Sequence, residues 1–321
     1  MKRSDFFKLT AAAGLSAKSA FAGQEKKMTT TTAGPLPRRP LGKTGEYLSI
    51  IGMGGIVVMN EEQAHANQVV REAVEAGVNY FDVAPTYGDA ELKLGPALEP
   101  FRQEVFLGCK TDKRDRQGSQ KELVESLERL RTDYFDLYLL HSIETREDVE
   151  KAFGPDGAME TFVRAREQGL VRFLGFSAHS VEAALAAMDN FDFDTVILPI
   201  NYGCWYKGNF GPQVVEKAID KQMGILALKA GARALRAEGS KRVRPKCWYE
   251  PLLDETEIAR SYRFTLSLPV TAAIPPGDEQ LFRLALKMAP KFIPISEKGK
   301  AGLESRAESL TPLFKYPAWG A

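Results

Sequence analysis

The chain has 321 residues, a length that suits one large α/β barrel or two smaller domains. Its 43 lysines and arginines nearly balance its 42 aspartates and glutamates. This balance argues against a nucleic-acid-binding surface, which needs a clustered basic excess. No run approaches the roughly twenty apolar residues of a membrane-spanning helix. The three cysteines lie far apart without CxxC spacing, which disfavours a metal or iron–sulfur site and a disulfide framework.

The first residues have the features of an export signal. Two basic residues, Lys2 and Arg3, precede a weakly apolar stretch and a small-x-small cleavage site at Ala20–Ala22. The run that begins at Arg3 resembles the twin-arginine export motif, although the second arginine is missing. We predict an export segment over residues 1–28 and a periplasmic location. The alternative is an amphipathic or disordered start to a cytoplasmic protein that is translated from Met28.

The next residues, 29–38, are rich in Thr, Pro and Gly and predict a linker. From Leu41 onward, short apolar runs alternate with amphipathic helical stretches, which is the pattern of βαβ units. The sequence over residues 39–50 predicts a small hairpin at one end of the fold. Strands are predicted at Ile50–Gly54, Asn79–Val83, Val105–Cys109, Phe135–Leu140, Phe173–Phe176, Thr195–Ile200, Ile225–Leu228 and Val270–Ile274. Helices are predicted at Glu61–Ala76, Ser119–Arg131, Ala158–Gln168, Val181–Met188 and Pro212–Lys221, with Gly77, Gly169 and Gly224 marking helix ends.

This element order predicts a single (β/α)8 TIM barrel with an N-terminal β-hairpin over residues 39–321. The competing fold is an open dinucleotide-binding sheet, which needs a G-x-G-x-x-G turn after its first strand. The corresponding turn, Gly52–Gly55, breaks that spacing. The closed barrel is therefore preferred.

Four polar residues lie at the ends of consecutive predicted strands or in the loops just beyond, and in a barrel such positions point into one shared pocket. They are Asp82 at the end of the second strand, Tyr87 in its loop, Lys110 capping the third strand and His141 capping the fourth. Taken singly, each has a structural explanation as a cap, a solvated strand end or a core imidazole. Together they form a set of side chains suited to proton transfer.

Their chemistry suits the reduction of a carbonyl group. Hydride transfer to the carbonyl carbon leaves an alkoxide, to which a phenol such as Tyr87 can donate a proton. An ammonium near the phenol, from Lys110, stabilises the phenolate and lowers the pKa of the phenol. A carboxylate, Asp82, offsets the burial of that ammonium. An imidazole, His141, can hydrogen-bond the substrate oxygen and orient it.

The stretches Arg38–Gly45, Phe81–Gly88, Leu140-His141 and Gly175–Ser177 resemble the aldo-keto reductase superfamily, and the likeness extends to about Ile274. The resemblance implies an NAD(P)-dependent oxidoreductase. It assigns Tyr87 as the general acid/base, Lys110 as the residue that tunes it, Asp82 as the partner of Lys110, and His141 as the residue that positions the carbonyl.

The cofactor pattern departs from the family at several points. The resemblance gives Ser177 and Asn201 as candidates for binding the nicotinamide and Lys229 as a candidate for binding a phosphate. The amide, the glutamine and the stacking aromatic that the family usually has near these positions are replaced. Gly277 and Arg283 are the candidates for the phosphate at the adenosine end. NADP is the expected cofactor because the family leans to it, and NAD is the alternative.

A long basic and aromatic excursion, residues 230–254, follows the seventh strand and suits a sugar or an anionic carbonyl substrate. Two other functions stay open. An exported barrel with a tightly held cofactor could act as an isomerase or epimerase, and a non-catalytic barrel could bind a nucleotide or sugar as a sensor.

Overall fold

The computed structural model describes residues 36–317 of the chain. The predicted export segment and most of the predicted linker lie outside these residues, so both stay predictions. The strands are β1 (Arg38–Pro40), β2 (Tyr47–Ser49), β3 (Met53–Gly54), β4 (Tyr80–Asp82), β5 (Phe106–Thr111), β6 (Phe135–Ile143), β7 (Val171–Ala178), β8 (Thr195–Pro199), β9 (Gly224–Leu228), β10 (Ala232–Ala234), β11 (Glu250–Pro251) and β12 (Ala272–Ile274).

Eight of these strands, β3 to β9 and β12, form one parallel sheet in sequence order. A parallel bridge between Ile51 and Ala273 joins the first strand region to the last, and the backbone N–H of Gly52 donates to the carbonyl of Ala273 at 3.0 Å. The sheet is therefore closed into a barrel. The predicted (β/α)8 fold is confirmed, and each predicted barrel strand overlaps an observed one.

Helices surround this barrel, and most of them contribute buried apolar residues to the layer between the helices and the sheet. They are α1 (Gln63–Glu75), α2 (Ala90–Leu98), α3 (Arg116–Arg129), α4 (Arg146–Phe153), α5 (Ala158–Glu167), α6 (Val181–Asn190), α7 (Pro212–Asp220), α8 (Glu255–Ser267), α9 (Glu279–Met288) and α10 (Glu297–Ala307). The five predicted helices are present. Within residues 36–317, no helix combines the length and apolarity that a membrane span needs.

The predicted N-terminal hairpin is formed by β1 and β2, which pair antiparallel. Gly42 in its turn has a φ of +53°, and a Cβ there would lie 2.3 Å from the backbone nitrogen of Gly224. Because Gly224 begins β9, the hairpin packs against the end of the barrel where the strands start. Gly224 is thus a close-contact glycine and not the expected helix end; Gln222, with a φ of +57°, takes the left-handed position there.

Two layers of apolar side chains build the core. The barrel interior is filled by a cluster that includes Tyr80, Phe106, Leu137, Ile197 and Leu226, while a larger cluster lies between the sheet and the helices. The three cysteines are buried and free. Since side chains fill the interior, only the loops at the strand ends leave room for chemistry.

Candidate active site

The four residues predicted to carry the chemistry converge at one end of the barrel. Asp82 is the last residue of β4, Lys110 lies near the end of β5, and His141 lies near the end of β6. Tyr87 lies in the loop between β4 and α2. Because these strands are parallel neighbours, their carboxyl ends meet at the same rim. The structure therefore brings all four side chains together.

Lys110 is a fully buried ammonium that is held by two oxygen atoms. Its Nζ forms an ion pair with Asp82 and donates to the carbonyl oxygen of Val83 at 3.2 Å. The hydroxyl of Tyr80 donates to the other carboxylate oxygen of Asp82 at 3.3 Å. Burial alone lowers the pKa of Lys110, but Asp82 and Tyr87 outweigh it and hold that pKa above its ordinary value. Lys110 is therefore charged at neutral pH.

The phenol of Tyr87 lies between Lys110 and His141. The Nζ of Lys110 is 5.2 Å from the centroid of the Tyr87 ring, and the Tyr87 Oη is 3.4 Å from the Nε2 of His141. Burial raises the pKa of Tyr87, and the charge of Lys110 opposes this without reversing it. The lysine thus acts in the expected direction, but the net pKa is above its ordinary value. The phenol is protonated at neutral pH, as a proton donor must be.

His141 is oriented by a carboxylate that the sequence reasoning did not single out. The Oδ1 of Asp112 lies 2.9 Å from the Nδ1 of His141, and Arg114 donates to the backbone carbonyl of His141 at 2.6 Å. Burial lowers the pKa of His141, and the hydrogen bond to Asp112 only partly offsets this. The ring is therefore neutral at neutral pH.

These partners assign the tautomer of the neutral ring. A carboxylate accepts only, so the ring proton sits on Nδ1 and faces Asp112. The Nε2 of His141 is then an acceptor for the hydroxyl of Tyr87. This differs from the expected role of His141 as a donor to the substrate oxygen, because donation from Nε2 needs either the charged ring or the other tautomer.

A buried lysine–carboxylate pair beside a phenol and an imidazole, at the carboxyl rim of a parallel barrel, is the arrangement that the sequence resemblance implied. The sequence also matches the model of the Aldo/keto reductase family over residues 51–250, which is more than half of the chain. The chain belongs to the aldo/keto reductase family.

Two relatives illustrate the similarity in sequence. An uncharacterised oxidoreductase of Bacillus subtilis is 32% identical over 155 residues, which cover 44% of this chain and 48% of the relative. An L-galactose dehydrogenase of Arabidopsis thaliana is 29% identical over 187 residues, which cover 53% of this chain and 57% of the relative. The chain thus aligns with about half the length of these curated relatives.

A solved family structure shows the same fold. The holo form of an aldo-keto reductase from Bacillus halodurans superposes with a TM-score of 0.68 at 18% identity, covering 86% of this chain and 98% of that one. At this identity the likeness concerns the architecture alone.

Two of the predicted cofactor residues are already engaged within the chain. The hydroxyl of Ser177, at the end of β7, accepts from the backbone N–H of Ser142 at 2.8 Å and keeps its own proton to donate. The amide of Asn201, after β8, accepts from the N–H of Cys204 at 2.9 Å and donates to the carbonyl of Lys229 at 3.3 Å. Both side chains are buried and fixed in orientation.

The two candidates for the phosphate at the adenosine end, Gly277 and Arg283, lie after the last strand. Gly277 packs against Ile56, and a Cβ there would lie 2.2 Å from that side chain. The guanidinium of Arg283 lies along α9 and is held by Glu72 at 2.7 Å and Glu279 at 2.8 Å. Arg283 is therefore already neutralised by two carboxylates.

A different arginine reaches the start of α9. Arg244 comes from the excursion after β9, and its guanidinium lies 3.8 Å from the carboxylate of Asp278, the N-cap of α9. The Nε of Arg244 is buried and forms no hydrogen bond within residues 36–317. The same excursion is held to the first βα loop by Lys246, which pairs with Glu61 at 2.9 Å.

The ammonium of Lys229 points into a group of rings. It lies 3.3 Å from the Nε2 of His179 and 5.6 Å from the ring centroids of Trp248 and Phe314. Burial lowers the pKa of Lys229 to about 8. Two residues that the sequence reasoning missed, Asp112 and Phe314, join the site through the fold, although Asp112 follows Lys110 by only two positions. Trp248 lies in the basic and aromatic excursion that the sequence places after the seventh strand.

Proposed function

We propose that the chain is an oxidoreductase that interconverts a carbonyl compound and its alcohol with NADP, or NAD, as the cofactor, and that Tyr87 is its general acid/base. The observation that carries the proposal is the buried Asp82–Lys110 ion pair beside the phenol of Tyr87. An ion pair of this kind is a weak source of stability. Its placement next to an ionisable phenol at the barrel rim favours a role in proton transfer.

The donor set at the rim suits a nicotinamide nucleotide. Ser177 and Asn201 present fixed polar groups at the ends of β7 and β8, and the buried Nε of Arg244 has no partner within residues 36–317. We infer that Ser177 and Asn201 hold the nicotinamide end and that Arg244, with the backbone at Gly277, holds a phosphate near α9. When bound, the nucleotide supplies or accepts the hydride.

The residues of the chain supply the proton. In reduction, the O–H bond of Tyr87 breaks as its proton moves to the carbonyl oxygen, while the carbonyl carbon receives the hydride. The ammonium of Lys110 stabilises the phenolate that remains, and Asp82 keeps Lys110 charged in its buried position. His141, neutral and fixed by Asp112, accepts the hydrogen bond of the phenol in the free protein, and this O–H turns from Nε2 to the carbonyl oxygen when the substrate binds. In oxidation of an alcohol the same proton returns to Tyr87.

The test is reduction of a panel of aldehydes and sugars by the purified chain with NADPH and with NADH, followed by nicotinamide absorbance. We expect Tyr87→Phe to lower kcat by a factor of about 10² to 10⁴, the usual contribution of a general acid. We expect Lys110→Met to lower it as well, because the phenolate loses its neighbouring charge. Cofactor binding, measured by fluorescence titration, should persist in both variants.

The matched control is Tyr47→Phe, which removes a phenolic oxygen from the exposed hairpin at the opposite end of the barrel. This variant should keep full activity. If Tyr87→Phe turns over as fast as the wild-type protein, the assignment of Tyr87 as the acid is wrong. Absence of turnover over the whole panel, with nucleotide still bound, would instead favour the sensor.

A further inference from the structure

Lys229 is a cation without an anion. Among residues 36–317, no carboxylate forms an ion pair with its ammonium, whose one hydrogen-bond partner is the Nε2 of His179. The rings of Trp248 and Phe314 face it, each at 5.6 Å, and the ring of His179 stacks on Phe314 at 4.8 Å. Trp248 is 42% exposed, so this group of side chains reaches the protein surface at the barrel mouth.

A chain of hydrogen bonds fixes the direction of this ammonium. The Nδ1 of His179 lies 3.3 Å from a carboxylate oxygen of Glu144, and the Nε2 lies 3.3 Å from the Nζ of Lys229. An ammonium only donates and a carboxylate only accepts. The proton of the neutral ring therefore sits on Nδ1, and Lys229 donates to Nε2. Its two other N–H groups have no partner within the described part of the chain.

The backbone at Lys229 adopts a strained conformation. Its φ is +61°, in the left-handed region that a lysine rarely adopts. Two hydrogen bonds to its carbonyl oxygen, from Asn201 and from the N–H of Ala232 at 3.0 Å, hold this conformation. Strained residues of this kind concentrate at binding and catalytic sites.

The site also lies close to the proton-transfer residues. Lys229 and His179 belong to the ends of β9 and β7, on the same rim as the end of β5 that carries Lys110. A substrate at Tyr87 could therefore extend towards Lys229.

We propose that Lys229, positioned by His179 and Glu144, binds an anionic oxygen group at the far end of the carbonyl substrate, so that the enzyme prefers carbonyl acids to neutral carbonyl compounds. The proposal rests on the reductase function proposed above. Charge-assisted hydrogen bonds from the two free N–H groups of Lys229 would hold the anion. Trp248 and Phe314 would cover the apolar part of the substrate.

The experiment compares the three isomeric formylbenzoates with their methyl esters, which differ in charge at one position. For the isomer that fits best, wild-type protein should show a kcat/KM about tenfold or more above that of the ester. In Lys229→Met this acid-to-ester ratio should fall to about one. Lys121→Met, which removes an exposed lysine from the outer helix α3, should keep the wild-type ratio.

The pH dependence gives a second measurement. The titratable groups that face Lys229 are His179, Glu144, Cys204 and Lys110. The pKa of His179 is lowered to about 4 and that of Glu144 is lowered, while the pKa values of Cys204 and Lys110 are raised. The acid preference of the wild-type protein should therefore decline as the pH rises through about 8. Lys229→Arg should keep the preference above that pH, because an arginine stays charged.

Three results would overturn the proposal. The first is a wild-type protein that reduces the esters as well as the acids, and the second is a Lys229→Met variant that keeps the wild-type ratio. The third is a Lys229→Met variant in which the KM for NADPH rises equally with acid and ester, since Lys229 would then bind a cofactor phosphate. A wild-type protein that reduces neither class, nor any compound of the aldehyde and sugar panel, refutes the reductase function itself, which is a distinct outcome.

Discussion

Replacement of Asp112 by asparagine tests how His141 is controlled. The carboxylate lies 2.9 Å from the Nδ1 of His141, and its hydrogen bond and charge both raise the pKa of that ring against the larger effect of burial. Asp112 itself is held ionised, since His141 and Arg114 outweigh burial and keep its pKa below the ordinary value. An asparagine keeps the shape and an acceptor oxygen but removes the negative charge.

The size of the effect follows from the exposure of the pair. The side chain of Asp112 is 35% exposed, so solvent screens its charge, and we assign the interaction about 1 kcal/mol. One pH unit corresponds to about 1.4 kcal/mol, so the pKa of His141 should fall by about 0.7 unit. The neutral ring then persists to lower pH. Because the imidazole of His141 is held less firmly without this charge, kcat at neutral pH should also fall by a factor of about three.

The assay is the pH profile of kcat/KM, whose acid limb reports the ionisation of His141 in the free enzyme. In Asp112→Asn the acid limb should move to lower pH by about 0.7 unit. The control is Asp133→Asn, which changes an exposed aspartate in the loop before β6 and should leave the profile in place. An acid limb that stays fixed in Asp112→Asn, or that moves to higher pH, would refute the assignment of Asp112 as the residue that sets the state of His141.

Two further predictions concern the ends of the barrel. Arg244→Ala should raise the KM for NADPH about tenfold in steady-state assays, because the variant loses a charge-assisted contact to the 2′-phosphate. The KM for NADH, which lacks this phosphate, should stay nearly unchanged. Equal effects on both nucleotides, or the same effect in the exposed Arg242→Ala, would contradict this. Gly42→Ala should destabilise the fold by about 3 kcal/mol in chemical unfolding, from strain at φ +53° and overlap with Gly224. Gly45→Ala, at φ +83° with open space, should lose only about 1 kcal/mol, and equal losses would show that the overlap is relieved.

Local sequence patterns were sufficient to predict the architecture. The eight apolar runs predicted as strands all overlap strands of the barrel. A parallel strand that is buried on both faces needs a short run of apolar residues, and such a run is visible in the sequence. The sequence reasoning did not single out α4, a helix of only eight residues, although it begins at a capping box of Thr145 and Asp148.

In the site as well, residues with a local sequence signal could be predicted and long-range contacts could not. Asp82, Tyr87, Lys110 and His141 could be found because each lies at the end of a strand or in the loop that follows, and parallel strands bring such positions together. The contacts of Lys229 could not be found this way, since His179 is 50 positions away and Phe314 lies in the C-terminal tail. Nor does local sequence reveal that Arg283 is held by Glu72, which belongs to α1. Export by the first 28 residues stays a prediction.

The central claim is that hydride passes directly between a nicotinamide and a carbonyl carbon at this rim while Tyr87 supplies the proton. The most direct measurement uses a reduced nicotinamide nucleotide that carries deuterium at both hydride positions, with mass spectrometry of the alcohol formed. The account predicts one deuterium on the carbinol carbon with the wild-type protein and almost no labelled alcohol with Tyr87→Phe. An alcohol without deuterium, or equal labelling by both proteins, would contradict it.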